Sequence, residues 1–198
     1  MSEHQIDRKM TEYEKKAIER LRRDYESGLL IIRVMPISRF YDFYAEQDGD
    51  PTVRAILCSS KPLRYDKLGG FSDYVFLDFD DVVDPRHPHA LNCEQAADVY
   101  DFLIDVGAAD IPAIDLSICC DYGESRSAAI AAAITRFLSP DDVEDVDIYW
   151  NDPKYHPNPF VYRLVCEALG DPVPETELRA LVRGNREALE KKLGKGKK

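Results

Sequence analysis

A thiol, a glycine, a guanidinium and a hydroxyl stand at close spacing in the middle of the chain, in Ile118-Cys119-Cys120-Asp121-Tyr122-Gly123-Glu124-Ser125-Arg126-Ser127. Cys120, Gly123, Arg126 and Ser127 spell the pattern C-x-x-G-x-x-R-S. An isolated cysteine ionises at about pH 8.5, and converging N–H groups or a helix N-terminus lower that value, so Cys120 is a candidate thiolate nucleophile. Gly123 lets the backbone turn with no side chain in the way. Arg126 carries a planar fork that fits two oxygens of a phosphoryl group. Ser127 is placed to donate its hydroxyl to the sulfur when that sulfur departs as a leaving group. The backbone of Asp121, Tyr122, Gly123, Glu124, Ser125 and Arg126 is the candidate phosphate cradle, and free phosphate or sulfate is expected to fit it.

These groups act together only if the chain on either side holds them. The apolar run Ile114–Ile118, with its polar interruptions, predicts a strand, and the almost wholly apolar stretch from Ala128 to Leu138 predicts a buried helix. A strand, a tight loop and a helix converge the loop amides and add the positive end of the helix. Cleaving a phosphate ester also requires an acid to protonate the leaving oxygen, on a segment able to cover the site. Asp80, Asp81 and Asp84 follow a predicted strand, Tyr74–Phe79, and open a loop rich in proline and histidine. Solvated loop aspartates or a helix-capping cluster are the other reading of these three. His87 and His89, beside prolines, read as surface residues, and no metal site is expected there.

The remaining elements alternate. An amphipathic helix is predicted over residues 5–26, with Ile6, Met10, Tyr13, Ala17, Leu21 and Tyr25 on one face and Ser27-Gly28 as its stop. Leu29–Met35 and Val53–Cys58 read as strands. Between them Ser38 reads as the cap of an aromatic helix, Arg39–Gln47, followed by a turn at Asp48-Gly49-Asp50-Pro51. Residues 59–72 read as loop. Asn92 is the expected cap of a helix over Cys93–Val106 that buries Ala96, Val99, Phe102, Leu103 and Val106 and ends at Gly107. Later helices are expected from Ser139-Pro140 to about Trp150, over Phe160–Leu169 with Gly170 closing it, and from Glu175 to about Leu193. The pattern predicts an α/β fold with a mostly parallel central sheet flanked by helices. It divides into an amphipathic extension (1–28), a main domain (29–193) and a basic, disordered tail (194–198).

A chain of 198 residues is long enough for one domain with a full core. Its net charge of −11 argues against nucleic-acid and anionic-membrane partners, both of which select basic surfaces. No apolar run has the length of a membrane span, and Met1–Met10 lacks the apolar centre of a secretion signal. Five cysteines, two of them adjacent, do not make a disulfide framework. A reducing cytoplasm is therefore expected, and a thiolate nucleophile requires one.

The 118–127 stretch resembles the signature loop of the cysteine-dependent protein tyrosine phosphatases, especially the small dual-specificity branch. The resemblance implies the phosphatase fold and a phosphomonoester hydrolase that works through a phosphocysteine without any cofactor. Its substrate would be a phosphorylated protein or a small phosphomonoester. It also implies a general acid at the junction of a strand and a loop upstream of the signature. The family's order of strand, aspartate, loop and helix points to Asp81 first and Asp84 second. Two features depart from the family pattern. Cys119 stands where the family has a histidine that orients the loop, and Asp121 and Glu124 bring negative charge to the cradle. Cys119 is either a buried strand residue or a redox partner of Cys120. A segment after the signature helix, Tyr155–Val165, also resembles bacterial phosphatase-like proteins. Two other functions remain: a pseudophosphatase that binds phosphorylated partners with little turnover, and sulfur-transfer or arsenate-reducing chemistry on a related loop. The aromatics Phe40, Tyr41, Phe43 and Tyr44 are candidates to line an aryl pocket or simply to pack a helix.

Overall fold

Among the described residues, four strands form one sheet with helices packed on both of its faces. A computed structural model describes residues 10–46, 50–69, 71 and 73–195. Strands β1 (Ile31–Pro36), β2 (Val53–Cys58), β3 (Tyr74–Leu77) and β4 (Asp115–Cys120) are all parallel, in the order β1-β4-β2-β3. The inner strands β2 and β4 are buried at every position, so β2 reads as an almost unbroken apolar run rather than an alternating one. The polar interruptions of β4 are paired inside the sheet. The Ser117 hydroxyl donates to Asp115 over 2.7 Å, and Asp115 pairs with Arg33 on β1.

Successive strand residues point to opposite faces, and this splits the core in two. Ile56, Cys58, Leu116, Ile118 and Cys120 face one side. That side is covered by α1 (Glu12–Glu26), α4 (Cys93–Ala108), α5 (Arg126–Leu138), α6 (Val143–Asn151) and α7 (Pro159–Ala168), with α8 (Glu175–Lys195) joining through Leu178. Met35, Val53, Ala55, Leu57 and Cys119 face the other side, against α2 (Ile37–Glu46) and the one-turn helix α3 (Tyr65–Leu68). The chain thus leaves β1 toward one face and leaves the neighbouring β4 toward the opposite face. In open parallel sheets such a reversal opens a crevice at the carboxyl ends of the strands.

Several expected boundaries move for identifiable reasons. α1 begins at Glu12 because Thr11 and Glu14 close a reciprocal capping box. Its buried face is Ala17, Ile18 and Leu21, whereas Met10 and Tyr13 are exposed and Ile6 lies outside the described residues. Ser38 lies inside α2, which starts a residue earlier, and so does not cap it. The 59–72 loop contains α3, and α6 starts at Val143 rather than at Ser139-Pro140. Asn92 caps α4 as expected, with Gln95 as its reciprocal partner. Residues 48, 49 and 196–198, from the expected turn and tail, lie outside the described residues. Among the described residues no helix is long and apolar enough to cross a membrane.

Gly107 does not end α4, which runs on to Ala108. It is the point where α1 crosses α4: a Cβ there would lie 2.4 Å from the Ala17 carbonyl oxygen. Arg20 of α1 then donates to the Ala109 carbonyl over 2.7 Å, at the end of α4. Gly107→Ala is therefore expected to destabilise the fold by about 1–3 kcal/mol through overpacking. Alanine's better helix propensity, worth ~1 kcal/mol, would act the other way, but the obstacle is backbone and cannot swing aside. Urea unfolding with an unchanged slope and a lower midpoint is the expected result, and a raised midpoint would contradict this packing.

Candidate active site

Cys120 ends β4 and Arg126 begins α5, so the loop between them lies at the carboxyl edge of the sheet. The Gly123 N–H donates to Cys120 Sγ over 3.2 Å, and Ser127 Oγ lies 3.1 Å from the same sulfur. One backbone amide and one hydroxyl thus supply the donors that a negatively charged sulfur needs. The turn is tight at Gly123, which has φ +69° and would put a Cβ 2.5 Å from the backbone of Met35 and Pro36 at the end of β1. Only glycine fits there without moving the loop off the strand.

Arg126 is 5% exposed and aims back across the loop. Its Nη1 donates to the Phe79 carbonyl over 2.7 Å, its Nη2 to Asp121 Oδ2 over 2.6 Å, and its guanidinium lies 5.8 Å from the centre of the Phe79 ring. Its Nε is buried and has no hydrogen-bond partner among the described residues. A buried cationic donor left unpaired is costly, and an anion beside it would supply the missing acceptor. Ser125 stands at the N-cap of α5 but does not cap it; its hydroxyl donates instead to Asp81 over 2.9 Å. The first-turn amides of α5 therefore lack a side-chain cap at the cradle.

Asp121 is the unexpected member. Its Oδ2 takes Arg126 Nη2 and its Oδ1 accepts from Ser59 over 2.8 Å. Burial pushes the Asp121 carboxyl up, but hydrogen bonds from Arg126 and Ser59, with the charges of Arg126 and Lys61, outweigh it and hold the group below the usual carboxylate value. The sequence predicted negative charge at the cradle; the structure pairs it with Arg126, the arginine that the sequence put forward to hold phosphate.

The two candidate acids separate clearly. Asp81 reaches the loop, with Oδ1 accepting from Ser125 and from Asn158 Nδ2 over 2.8 Å. Asn158 also donates to the Val82 carbonyl and, through Oδ1, caps α7. It therefore ties the aspartate loop to α7, while the His156 N–H donates to the Glu124 carbonyl and braces the cradle from the same segment. Asp84 is bound instead by Arg86 over two 2.9 Å contacts, and the Arg86 hydrogen bonds hold its carboxyl below the usual value. His87 and His89 are both exposed.

Cys119 points to the sheet face opposite Cys120, where burial pushes its thiol well above the ordinary value. It is a buried strand residue. The cysteine beside Cys120 on the same face is Cys58, its register partner on β2.

A cleft of ≈ 230 Å³ adjoins the loop, bounded by Ile37, Tyr41, Ser59, Lys61, Leu63 and Tyr122 among others. Of the four aromatics singled out on α2, only Tyr41 lines it. Phe40 and Tyr44 stack into a ring cluster with Phe71, and Phe43 packs under Arg33. Sequence reasoning missed Ser59, the Phe79 carbonyl and the tie made by Asn158. Asn158 did carry a signal, since asparagine immediately before Pro159 reads as an N-cap with proline in the first turn.

Tyr122 and Glu124 expose their side chains at the mouth of the loop, whereas Cys120, Gly123, Arg126 and Ser127 form its buried floor. The structure thus brings Cys120, Ser127 and Arg126 together in one loop, joins Asp81 to that loop through Ser125, and leaves Asp84 paired with Arg86. In comparisons with protein-family models, curated proteins and solved structures, no match to this chain is found.

Proposed function

We propose that the chain is a metal-independent phosphomonoester hydrolase of the protein tyrosine phosphatase type and fold, acting through a phosphocysteine. The observation that carries this reading is the pairing, in one loop, of a hydrogen-bonded Cys120 sulfur with a buried Arg126 whose Nε has no partner among the described residues. In the first step the Cys120 thiolate forms an S–P bond as the P–O bond to the leaving group breaks. Asp81 gives its proton to the departing oxygen. Arg126 and the loop amides hold the equatorial oxygens and stabilise the charge that develops there. In the second step water attacks phosphorus, Asp81 takes its proton, and the S–P electrons return to sulfur beside the Ser127 hydroxyl. The cleft at Tyr41, Leu63 and Tyr122 suits an aryl leaving group, which favours phosphotyrosine or another aryl monoester.

The test is hydrolysis of p-nitrophenyl phosphate in reducing buffer with chelator. The wild type should turn over and Cys120→Ser should not; equal activity in the two proteins would refute the proposal.

One observation favours the pseudophosphatase reading: Asp121 occupies Arg126 Nη2. A phosphoryl group must displace that carboxylate or share the guanidinium with it. Asp121→Asn is therefore expected to tighten inorganic phosphate binding by about tenfold, consistent with removing one charge-assisted contact. Tight phosphate binding without turnover, in wild type and variant alike, would establish the binding module instead.

A further inference from the structure

A second groove, of ≈ 470 Å³, lies between the tip of the aspartate loop, the start of α7 and the first half of α8. Its floor is apolar: Phe160 and Leu178 are nearly buried, while Val83 and Val182 are 64% and 40% exposed. Its walls carry four guanidinium groups, Arg163, Arg179, Arg183 and Arg186, against one lining carboxylate, Glu175. This concentration of positive charge belongs to a chain whose net charge is −11.

The arginines are free to be redirected. Arg183 makes no ion pair or hydrogen bond among the described residues, and Arg163 only lies 6.0 Å from the Phe160 ring centre. Arg179 and Arg186 pair with Glu175 and Glu190 one helical turn away, at 2.9 and 3.0 Å. Those pairs are solvent-exposed, and such pairs are worth about 0.3–0.5 kcal/mol, so an incoming carboxylate replaces them at small cost.

We propose that this groove docks an acidic peptide segment of a protein partner, with its carboxylates on Arg163, Arg179 and Arg183 and an aliphatic or aromatic side chain on the Phe160–Leu178–Val182 floor. Charge complementarity selects an acidic segment, and the apolar floor selects a peptide, whose aliphatic or aromatic side chains it can bury, over a nucleic-acid phosphate backbone, which has none. The groove also touches the site. Val83 follows Val82, whose carbonyl accepts from Asn158, and Asn158 holds Asp81. A partner docked here lies beside the aspartate loop. That this partner is the substrate rests on the proposed phosphatase chemistry; the docking does not.

The experiment is fluorescence anisotropy of a fluorescein-labelled peptide of alternating glutamate and leucine, with an all-glutamate peptide and a single-stranded RNA oligonucleotide as comparators. Wild type should bind the mixed peptide most tightly, and more tightly at low salt. Arg179→Glu with Arg183→Glu should weaken binding by about tenfold or more, by placing like charges in the groove. Arg183→Lys, which keeps the charge, should stay within about twofold. The charge-reversed protein should hydrolyse p-nitrophenyl phosphate as the wild type does, since neither arginine belongs to the catalytic loop. Peptide binding unaffected by charge reversal, no peptide binding, or RNA bound more tightly than peptide would each overturn the groove assignment. Peptide binding in a protein that never hydrolyses aryl phosphate would sink the phosphatase proposal and leave the groove standing.

Discussion

Arg126→Lys is expected to lower kcat/KM for an aryl phosphate by about a thousandfold, the loss that removing a preorganised transition-state donor produces, or ~4 kcal/mol. Lysine keeps the charge, so a charge-only role would leave most of the activity. It cannot keep the fork. Arg126 spends Nη1 on the Phe79 carbonyl and Nη2 on Asp121, and still presents Nε inside the loop. An ammonium group has neither this planar spread nor a fixed direction, so it cannot hold the loop and the phosphoryl oxygens together. Burial lowers the Arg126 pKa, but the hydrogen bond and charge of Asp121, with the charge of Asp81, more than offset this, so the cation is fixed at any pH the fold survives. The loss should therefore be independent of pH between neutral and mildly acidic conditions. Circular dichroism and a urea midpoint would exclude unfolding as its cause. A variant retaining a tenth or more of the wild-type kcat/KM would mean that Arg126 holds the loop and not the transition state.

Asp81→Asn should lower kcat by about a hundredfold for phenyl phosphate, within the range typical of general-acid catalysis, and far less for p-nitrophenyl phosphate. Nitrophenolate leaves without a proton, whereas phenolate needs one. This dependence on the leaving group separates proton donation from a structural role, because a displaced loop would slow both substrates alike. Asp84→Asn is the comparator. Its carboxylate is held by Arg86 and lies outside the Cys120 loop contacts, so activity should stay within about twofold. If Asp84→Asn proved the more damaging of the two, the assignment of the acid to Asp81 would fail.

The strand, loop and helix around Cys120 were legible because each has a local cause: a run of buried strand residues, a glycine at a tight turn, and an alanine-rich helix. The strand order was not, because β4 inserts between β1 and β2 through contacts remote in sequence. The two aspartates looked alike in sequence, and what separates them is distance. Asp84 meets an arginine two residues on, a local signal that could have been read, while Asp81 meets Ser125 and Asn158 across the fold. The same holds for Asp121. Its negative charge was visible, but its clasp on Arg126 depends on Ser59, which comes from the end of β2. Gly107 shows the opposite error. A glycine near a helix end reads as a stop, but this one is demanded by a crossing helix.

The most direct measurement is rapid acid quench of the wild type during hydrolysis of an aryl phosphate, followed by mass analysis of the peptide that contains Cys120. The proposed chemistry predicts a burst of aryl alcohol equal to the enzyme present, with phosphate covalently attached to Cys120. Steady turnover without a burst, and an unmodified Cys120 throughout, would contradict it.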